Sequence, residues 1–378
     1  MRVCIVYDCL YPHTPGGAER WYRNLAERLA KAGHDVTYLT LRQWEGDDAG
    51  VPGVDVIAVG PRFGLYTEAG RRRIRPALRF GYGVLRHLLS RGRRYDVVHT
   101  ASFPYFSLLA AGAARRRGGY RLSVDWHEVW TREYWREYLG RVGGRIGWAI
   151  QRRCARIPQR AFCFSRLHQG RLRELGVPDP TVLEGEYDGA GARPGPEPRE
   201  PVVVFVGRHI PEKRPGAVVR ALARAREEAS ELRAEIYGDG PERTRVLEAV
   251  RAQGLDGAIE VPGRVEDGRI DDALGQALCL MLPSRREGYG LVVIEAAARG
   301  TPSVVVQEPD NASTELVEDG VNGVVAPSAE PDDLARAILR IRDAGPELRA
   351  STLDWFKRNE RRLSLEQSLE TILAAYAG

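Results

Sequence analysis

The sequence predicts an α/β protein made of two doubly wound, Rossmann-like domains. Three observations lead there. Short apolar, β-branched runs alternate with longer amphipathic stretches along the whole chain, the pattern of βαβ units and parallel sheets. One segment rich in proline and glycine interrupts that alternation near the middle. A length of 378 residues also suits two or three domains.

The first series of strand candidates is Val3–Asp8, Val36–Thr40, Val54–Val59, Val97–Thr100, Arg121–Val124, Ala161–Phe164 and Thr181–Leu183. Helical stretches such as Ala18–Ala32 and Pro104–Arg117 lie between them. The segment Gly189–Pro201 holds four prolines and three glycines and is expected to be an interdomain linker. A second series follows at Val202–Val206, Ala234–Tyr237, Ile259–Pro262, Cys279–Leu282, Ser303–Val306 and Gly323–Val325. The tail from Pro346 to Gly378 is expected to be helical, with Leu365, Leu369, Ile372 and Leu373 spaced for one face. The expected domains are 1–190 and 200–350, with a C-terminal helix over 360–378 packing back on the first.

Composition narrows the class. Hydrophobic residues make up 43% and charged residues 28% of the chain, ordinary for a globular protein. No stretch approaches the ~20 apolar residues of a membrane-spanning helix. The N-terminus runs straight into a strand pattern rather than a signal peptide, so the expected location is the cytoplasm. The five cysteines form no C-x-x-C pair, and Cys4, Cys163 and Cys279 sit in strand-like runs, as buried free thiols do. Charge is divided unevenly. Residues 1–195 carry 32 basic and 19 acidic side chains, a net +13, and residues 196–378 carry 24 and 32, a net −8. The two halves should therefore meet different partners.

Ligands of open parallel sheets bind beyond the carboxyl ends of strands, so the loops there carry the candidate chemistry. In the loop after the first strand, Gly16 and Gly17 stand just before a helix. Backbone N–H groups at such a start attract an anion, although the same glycines equally serve loop geometry. The spacing is not G-x-G-x-x-G, which argues against nicotinamide binding. After Val202–Val206, Arg208 and Lys213 flank a strand-to-helix turn. They are either a diphosphate clamp or two solvated loop cations. After Cys279–Leu282 comes Glu287-Gly288-Tyr289-Gly290, read as a loop leading into a helix that starts near Leu291. Free N–H groups at Leu291 and Val292 suit a phosphate. Glu287 at the helix start suits sugar hydroxyls, and Glu295, one turn on, suits the two hydroxyls of a ribose; an ordinary solvated helix position is the alternative for Glu295.

The Glu287-x7-Glu295 pattern, with Gly288, Gly290 and Gly300-Thr301-Pro302, resembles the E-x7-E signature of retaining family-4 glycosyltransferases of the GT-B fold. Other landmarks fall in the family's order: Gly16-Gly17-Ala18-Glu19, Gly207-Arg208 with Lys213, Tyr237–Pro241, Val261–Val265 and Asp319–Gly323. The resemblance spans nearly the whole chain. It implies two domains facing a cleft and a nucleotide-diphosphate sugar as co-substrate. The implied donor site is Gly16, Gly17, Arg208, Lys213, Val265, Glu287, Gly288, Tyr289, Gly290, Leu291, Val292 and Glu295. His127, just after a strand, resembles the family's cleft histidine that contacts the transferred sugar. With Glu287, Arg208 and Lys213 it completes the implied catalytic set.

The resemblance implies transfer with retained configuration, assisted by Arg208 and Lys213, with neither metal nor cofactor. No Asp-x-Asp cluster suited to nucleotide-bound Mg²⁺ is found. One departure stands out: the family often has Asn-Gly-Val-Asp where this chain has Glu184-Gly185-Glu186-Tyr187-Asp188.

Other features stay open. Trp126, Trp130, Tyr134 and Trp135 crowd the His127 loop, as stacking faces for sugar or as core. His99 is another polar group at a strand end. Asn311-Ala312-Ser313 fits a glycosylation sequon. Arg71 to Arg94 holds nine arginines and no acid, interleaved with Leu78, Phe80, Tyr82, Val84, Leu85, Leu88 and Leu89. Such a helix lies on an anionic membrane, here the inner surface, or shows a solvated arginine face. The acceptor is then expected to be anionic or lipid-linked. A sugar-nucleotide epimerase or phosphorylase on the same architecture, and a polyanion-binding protein, are the competing readings. The absence of any nucleic-acid motif weighs against the last.

Overall fold

A computed structural model of the chain describes residues 1–14, 16–67, 71–189 and 201–377. It divides into two compact units: unit 1 holds Met1–Thr67, Arg71–Glu184 and the residues from Ser368 on, and unit 2 holds Gly185–Gln367. The chain thus passes into unit 2 at Gly185, upstream of the Pro/Gly-rich segment, which lies outside the described residues apart from its two ends.

Unit 1 runs β1 (Arg2–Val6), α1 (Gly17–Lys31), β2 (Asp35–Leu41), β3 (Val54–Gly60), α2 (Ile74–Arg91), β4 (Val97–Ala101), α3 (Tyr105–Gly118), β5 (Arg121–Trp126), α4 (Arg132–Ala155), β6 (Arg160–Cys163), α5 (Arg166–Glu174) and β7 (Thr181–Val182). The strands form one sheet in the order β3-β2-β1-β4-β5-β6-β7, and each pairing is parallel. Both faces of a parallel sheet are covered by crossover helices, so β1 and β4 are buried almost throughout. Two helix starts are capped by hydroxyls: the Thr131 side chain accepts from Tyr134 N and that of Ser165 from His168 N.

Unit 2 runs β8 (Val202–Val206), α6 (Pro215–Ala225), β9 (Arg233–Tyr237), α7 (Arg243–Ala252), β10 (Ile259–Gly263), α8 (Asp267–Gln276), β11 (Cys279–Leu282), β12 (Arg286–Glu287), α9 (Leu291–Ala297), β13 (Ser303–Val306), β14 (Asp310–Asn311), β15 (Gly323–Ala326), α10 (Pro331–Leu363) and α11 (Leu365–Ala377), whose last turns belong to unit 1. Its main sheet has the order β10-β9-β8-β11-β13-β15, again all parallel. Phe205, Ile236, Met281 and Val304 of the strands pack with Leu222, Val246, Leu334 and Ile338 of the helices into one core. The helical tail breaks at Gly345, just before Pro346, whose missing N–H cannot continue the ladder.

All five cysteines are free and buried. Among the described residues no helix is long and apolar enough to cross a membrane. The arginine run needs one correction. Arg72 is not a surface cation: its guanidinium pairs with the buried carboxylate of Asp8, while the other eight arginines of the run are exposed.

The end of α11 docks on unit 1 through a buried polar chain. His99, on β4, joins Tyr376 Oη through Nδ1 at 2.5 Å and Asp125 through Nε2 at 2.7 Å. Trp21 Nε1 donates to the other Asp125 oxygen at 2.8 Å. His99 is thus tied into the core. Tyr376→Phe removes one link while keeping the ring, and should lower unfolding free energy by about 1–3 kcal/mol, the cost of leaving a buried partner unmet. Chemical denaturation checks this; unchanged stability would mean that the hydroxyl contributes nothing to docking.

Candidate active site

In a doubly wound sheet the ligand crevice opens where successive crossovers reverse direction. In unit 2 that point lies between β8 and β11, since the chain leaves β8 toward β9 and β10 and then returns to β11. The loops after these two strands carry Arg208 and Lys213 on one side and Glu287 on the other.

The structure brings Lys213 and Glu287 together. Lys213 Nζ donates to Glu287 Oε2 in an ion pair whose two side chains are 17% and 14% exposed. Ser284 Oγ donates to the same carboxylate oxygen at 3.3 Å, and Arg285 N–H donates to Glu212 O at 2.8 Å. The two loops are therefore laced by backbone and side chain. Removing one member of such a half-buried pair leaves the other charge uncompensated. Arg208 is exposed beside them. Arg214, in the left-handed region at φ 49°, donates to Glu308 at 2.6 Å.

The glycine-rich turn after β9 supports the Arg208 loop. Gly207 N–H donates to Tyr237 O at 3.1 Å and His209 N–H to Asp239 O at 2.9 Å. Gly238 has φ +120°, and a Cβ there would stand 1.9 Å from Gly207 O, so only glycine lets the two loops approach.

Glu287 is not in a loop, as the sequence suggested. It belongs to β12, which pairs in parallel with β14, Glu287 opposite Asn311. Asn311 is buried, donating to Val306 O at 2.8 Å and accepting from Ser313 Oγ at 2.6 Å. The sequon asparagine is thus a structural brace with no exposed amide. Gly288, Tyr289 and Gly290 are buried behind Glu287. Gly290 caps α9 at φ +106°, and a Cβ there would lie 2.7 Å from that of Ser313. Leu291 and Val292, half-buried, open the helix, and Glu295, also half-buried, lies one turn on. Val265 is half-buried after β10.

The divergent segment finds its place here. Tyr187 packs edge-on to Phe356, with centroids 5.4 Å apart. Burial, first, pushes its hydroxyl up to about 12, with Arg299 opposing and Glu295 adding to the shift. The segment therefore sets an aromatic residue within electrostatic reach of Glu295, a neighbour that sequence spacing did not reveal.

In unit 1 the switch point lies between β1 and β4. The loop after β1 leads to Gly16 and Gly17; a Cβ on Gly16 would fall 2.2 Å from the Glu19 carboxylate, so glycine makes room for Glu19. His127 follows β5. Its ring lies coplanar on Phe164, 4.5 Å between centroids, and meets Tyr22 edge-on at 5.7 Å. Its Nε2 is buried with no partner among the described residues. Burial lowers the imidazole pKa more than Asp125 and Glu128 raise it. Burial alone would raise the nearby Asp125 carboxyl, but His99, His127 and Trp21 hold it below the usual carboxylate range.

Of the loop aromatics, Trp126, Tyr134 and Trp135 are buried. Trp130 packs on Trp135 at 4.6 Å, and Gln151 Oε1 accepts from Trp135 Nε1 at 2.9 Å. This is a packed cluster, with only Trp130 half-open as a stacking face.

The family model described as "Glycosyltransferase Family 4" matches residues 15–184, and that described as "Glycosyl transferases group 1" matches 192–352. The chain belongs to the family-4 glycosyltransferases. Among its relatives is D-inositol 3-phosphate glycosyltransferase 2 of Catenulispora acidiphila, 29% identical over 87% of this chain and 82% of the relative. Alpha-D-kanosaminyltransferase of Streptomyces kanamyceticus is 31% identical over 39% of this chain and 38% of the relative. The GT-B fold is shared with sucrose-phosphate synthase of Thermosynechococcus elongatus, with TM-score 0.83 and 18% identity over 100% of this chain and 98% of that one. Anabaena HepE, solved with UDP-glucose, gives TM-score 0.75 and 17% identity over 100% and 99%.

His127 provides a test of the electrostatics. A buried imidazole resists protonation, so its NMR titration should fall below the ordinary value of about 6.5. The unfolded chain then binds a proton near pH 6.5 that the folded chain refuses, and stability falls as pH drops through that region. His127→Gln should flatten that portion of the stability curve. A titration midpoint at or above 6.5 would contradict the burial argument.

Proposed function

We propose that this glycosyltransferase moves a sugar from a nucleoside-diphosphate sugar to an acceptor hydroxyl with retention of configuration and without a metal, unit 2 holding the donor. The observation that carries the reading is the meeting of Lys213 and Glu287 at the switch point above β8 and β11. An ammonium and a carboxylate there suit the two ends of one donor: the cation its diphosphate, the carboxylate the hydroxyls of its sugar. Glu295, one turn into α9, accepts the ribose hydroxyls. Tyr289 and the backbone of Gly288, Gly290, Leu291 and Val292 shape the wall between, and Val265 borders the nucleotide side. The UDP-glucose complex of HepE supports this donor class.

Negative charge builds on the leaving diphosphate in the transition state, and Lys213 and Arg208 answer it there. Two cations do the work that a divalent metal does elsewhere. The acceptor hydroxyl attacks from the face the diphosphate leaves, and its proton passes to the departing phosphate oxygen. The net +13 of residues 1–195 suits an anionic acceptor, and the inositol 3-phosphate in a relative's name is one.

Glu295→Ala should raise the dissociation constant for the donor by about 10- to 150-fold, the equivalent of about 1.5–3 kcal/mol for a lost charged hydrogen bond. Calorimetry on the folded variant decides it, and unchanged affinity rejects the ribose assignment. Lys213→Ala and Arg208→Ala should lower kcat by roughly 10²–10³; Arg208→Ala should leave the melting temperature little changed, while Lys213→Ala should also lower it by leaving Glu287 unpaired. EDTA should leave turnover intact; loss of activity restored by Mg²⁺ would contradict the metal-free route.

A further inference from the structure

We propose that unit 1 docks on an anionic lipid surface through a face made by α2 and the middle of α4. Among the described residues the exposed large hydrophobic side chains are Met1 and seven others. All seven lie on these two helices: Ile74, Leu78, Tyr82 and Leu89 on α2, and Leu139, Val142 and Ile146 on α4. Tyr82 is 61% exposed and Val142 71%. An ordinary monomer scatters such residues singly; here they are gathered.

Their arrangement is regular. At 3.6 residues per turn, Ile74, Leu78, Tyr82 and Leu89 fall within an arc of about 80°. Arg75, Arg79 and Arg86, all exposed, flank that arc on its outer side. On α4 the chain turns at Gly140, φ +74°, and Val142 and Ile146 follow one turn apart. From Arg141 to Arg160 the sequence has six arginines and no acid. The two helices are joined where α2 begins: Arg72 N–H donates to Tyr138 Oη at 2.9 Å, and the Arg71 guanidinium lies 5.6 Å from the Tyr138 ring centre. Apolar side chains edged by arginine are the composition of a surface that enters the headgroup layer. A purely electrostatic partner such as nucleic acid has no use for the apolar stripe. The arginines exclude a cationic partner.

The inference concerns unit 1 alone and is independent of the donor assignment, because flotation needs neither donor nor acceptor. The full chain is mixed with vesicles of phosphatidylcholine containing about 30 mol% anionic phosphatidylglycerol and floated. It should rise with these vesicles, stay behind with phosphatidylcholine alone, and be released by salt. Arg73→Ser/Arg75→Ser/Arg79→Ser should weaken partition by about fivefold per arginine. Tyr82→Ser/Val142→Ser/Ile146→Ser should weaken it as well at unchanged charge.

Because the native cysteines are all buried, Val142→Cys also accepts an environment-sensitive dye, whose emission should shift to the blue on the vesicles. Three results overturn the proposal: no flotation at low salt with anionic vesicles, an unshifted dye on vesicle-bound protein, or an apolar triple variant that binds vesicles like wild type. The last would leave a polyanion-binding face, which oligonucleotide binding insensitive to that variant would confirm.

Discussion

Parallel pairing is the constraint on which the rest of this molecule depends. In each main sheet every strand points the same way, so every strand-to-helix loop emerges at one edge. Covering helices leave that edge as the place where backbone and polar side chains stay accessible. The crossover reversal then selects one position along it, between β8 and β11 in unit 2 and between β1 and β4 in unit 1. Residues 74 apart in sequence, Lys213 and Glu287, become neighbours for that reason. The local devices serve the same end: Gly238 lets the β9 turn approach Gly207, and β12 with β14 fixes the height of Glu287.

The Lys213–Glu287 pair also says what the site demands. Two charges shielded from water to this degree each require a partner. In the proposed reaction the donor supplies both partners, phosphate oxygens to the ammonium and hydroxyls to the carboxylate. The pair is then a ligand-free arrangement that the donor replaces, and its cost sets part of the discrimination against ligands that offer only one of the two ends. Unit 1 contributes differently. There the buried chain Tyr376–His99–Asp125–Trp21 holds β4, β5 and the end of α11 in register immediately before His127.

How much of this was legible in the sequence follows from range. The strands of both main sheets announced themselves, because all but the two-residue β7 are apolar runs of four to seven residues bounded by turns, which carry a strong local signal. The two-residue strands β12 and β14 carry no such signal, and Glu287 was taken for a loop residue. The arginine run was visible as composition, yet its one withdrawn member was not, since Asp8, the partner of Arg72, is 64 positions away. Leu139, Val142 and Ile146 drew no notice in the sequence, because apolarity alone does not tell which face of a helix is covered. The sequon at Asn311 was left open by the sequence and is a buried brace in the fold. The E-x7-E spacing was legible; the contact between its first glutamate and Lys213, and the approach of Tyr187 toward Glu295, needed the fold.

The central claim is that donor diphosphate displaces Glu287 from Lys213. Calorimetric binding of UDP, GDP, ADP and dTDP, with the best of the four carried forward, tests it through Glu287→Gln and Lys213→Met. If the diphosphate and the carboxylate compete for one ammonium, Glu287→Gln binds the nucleoside diphosphate as well as wild type or better, while Lys213→Met binds it at least about tenfold more weakly, one charge-assisted contact of about 1.5 kcal/mol or more. Equal weakening by both substitutions would contradict the exchange and make the ion pair a fixed part of the scaffold.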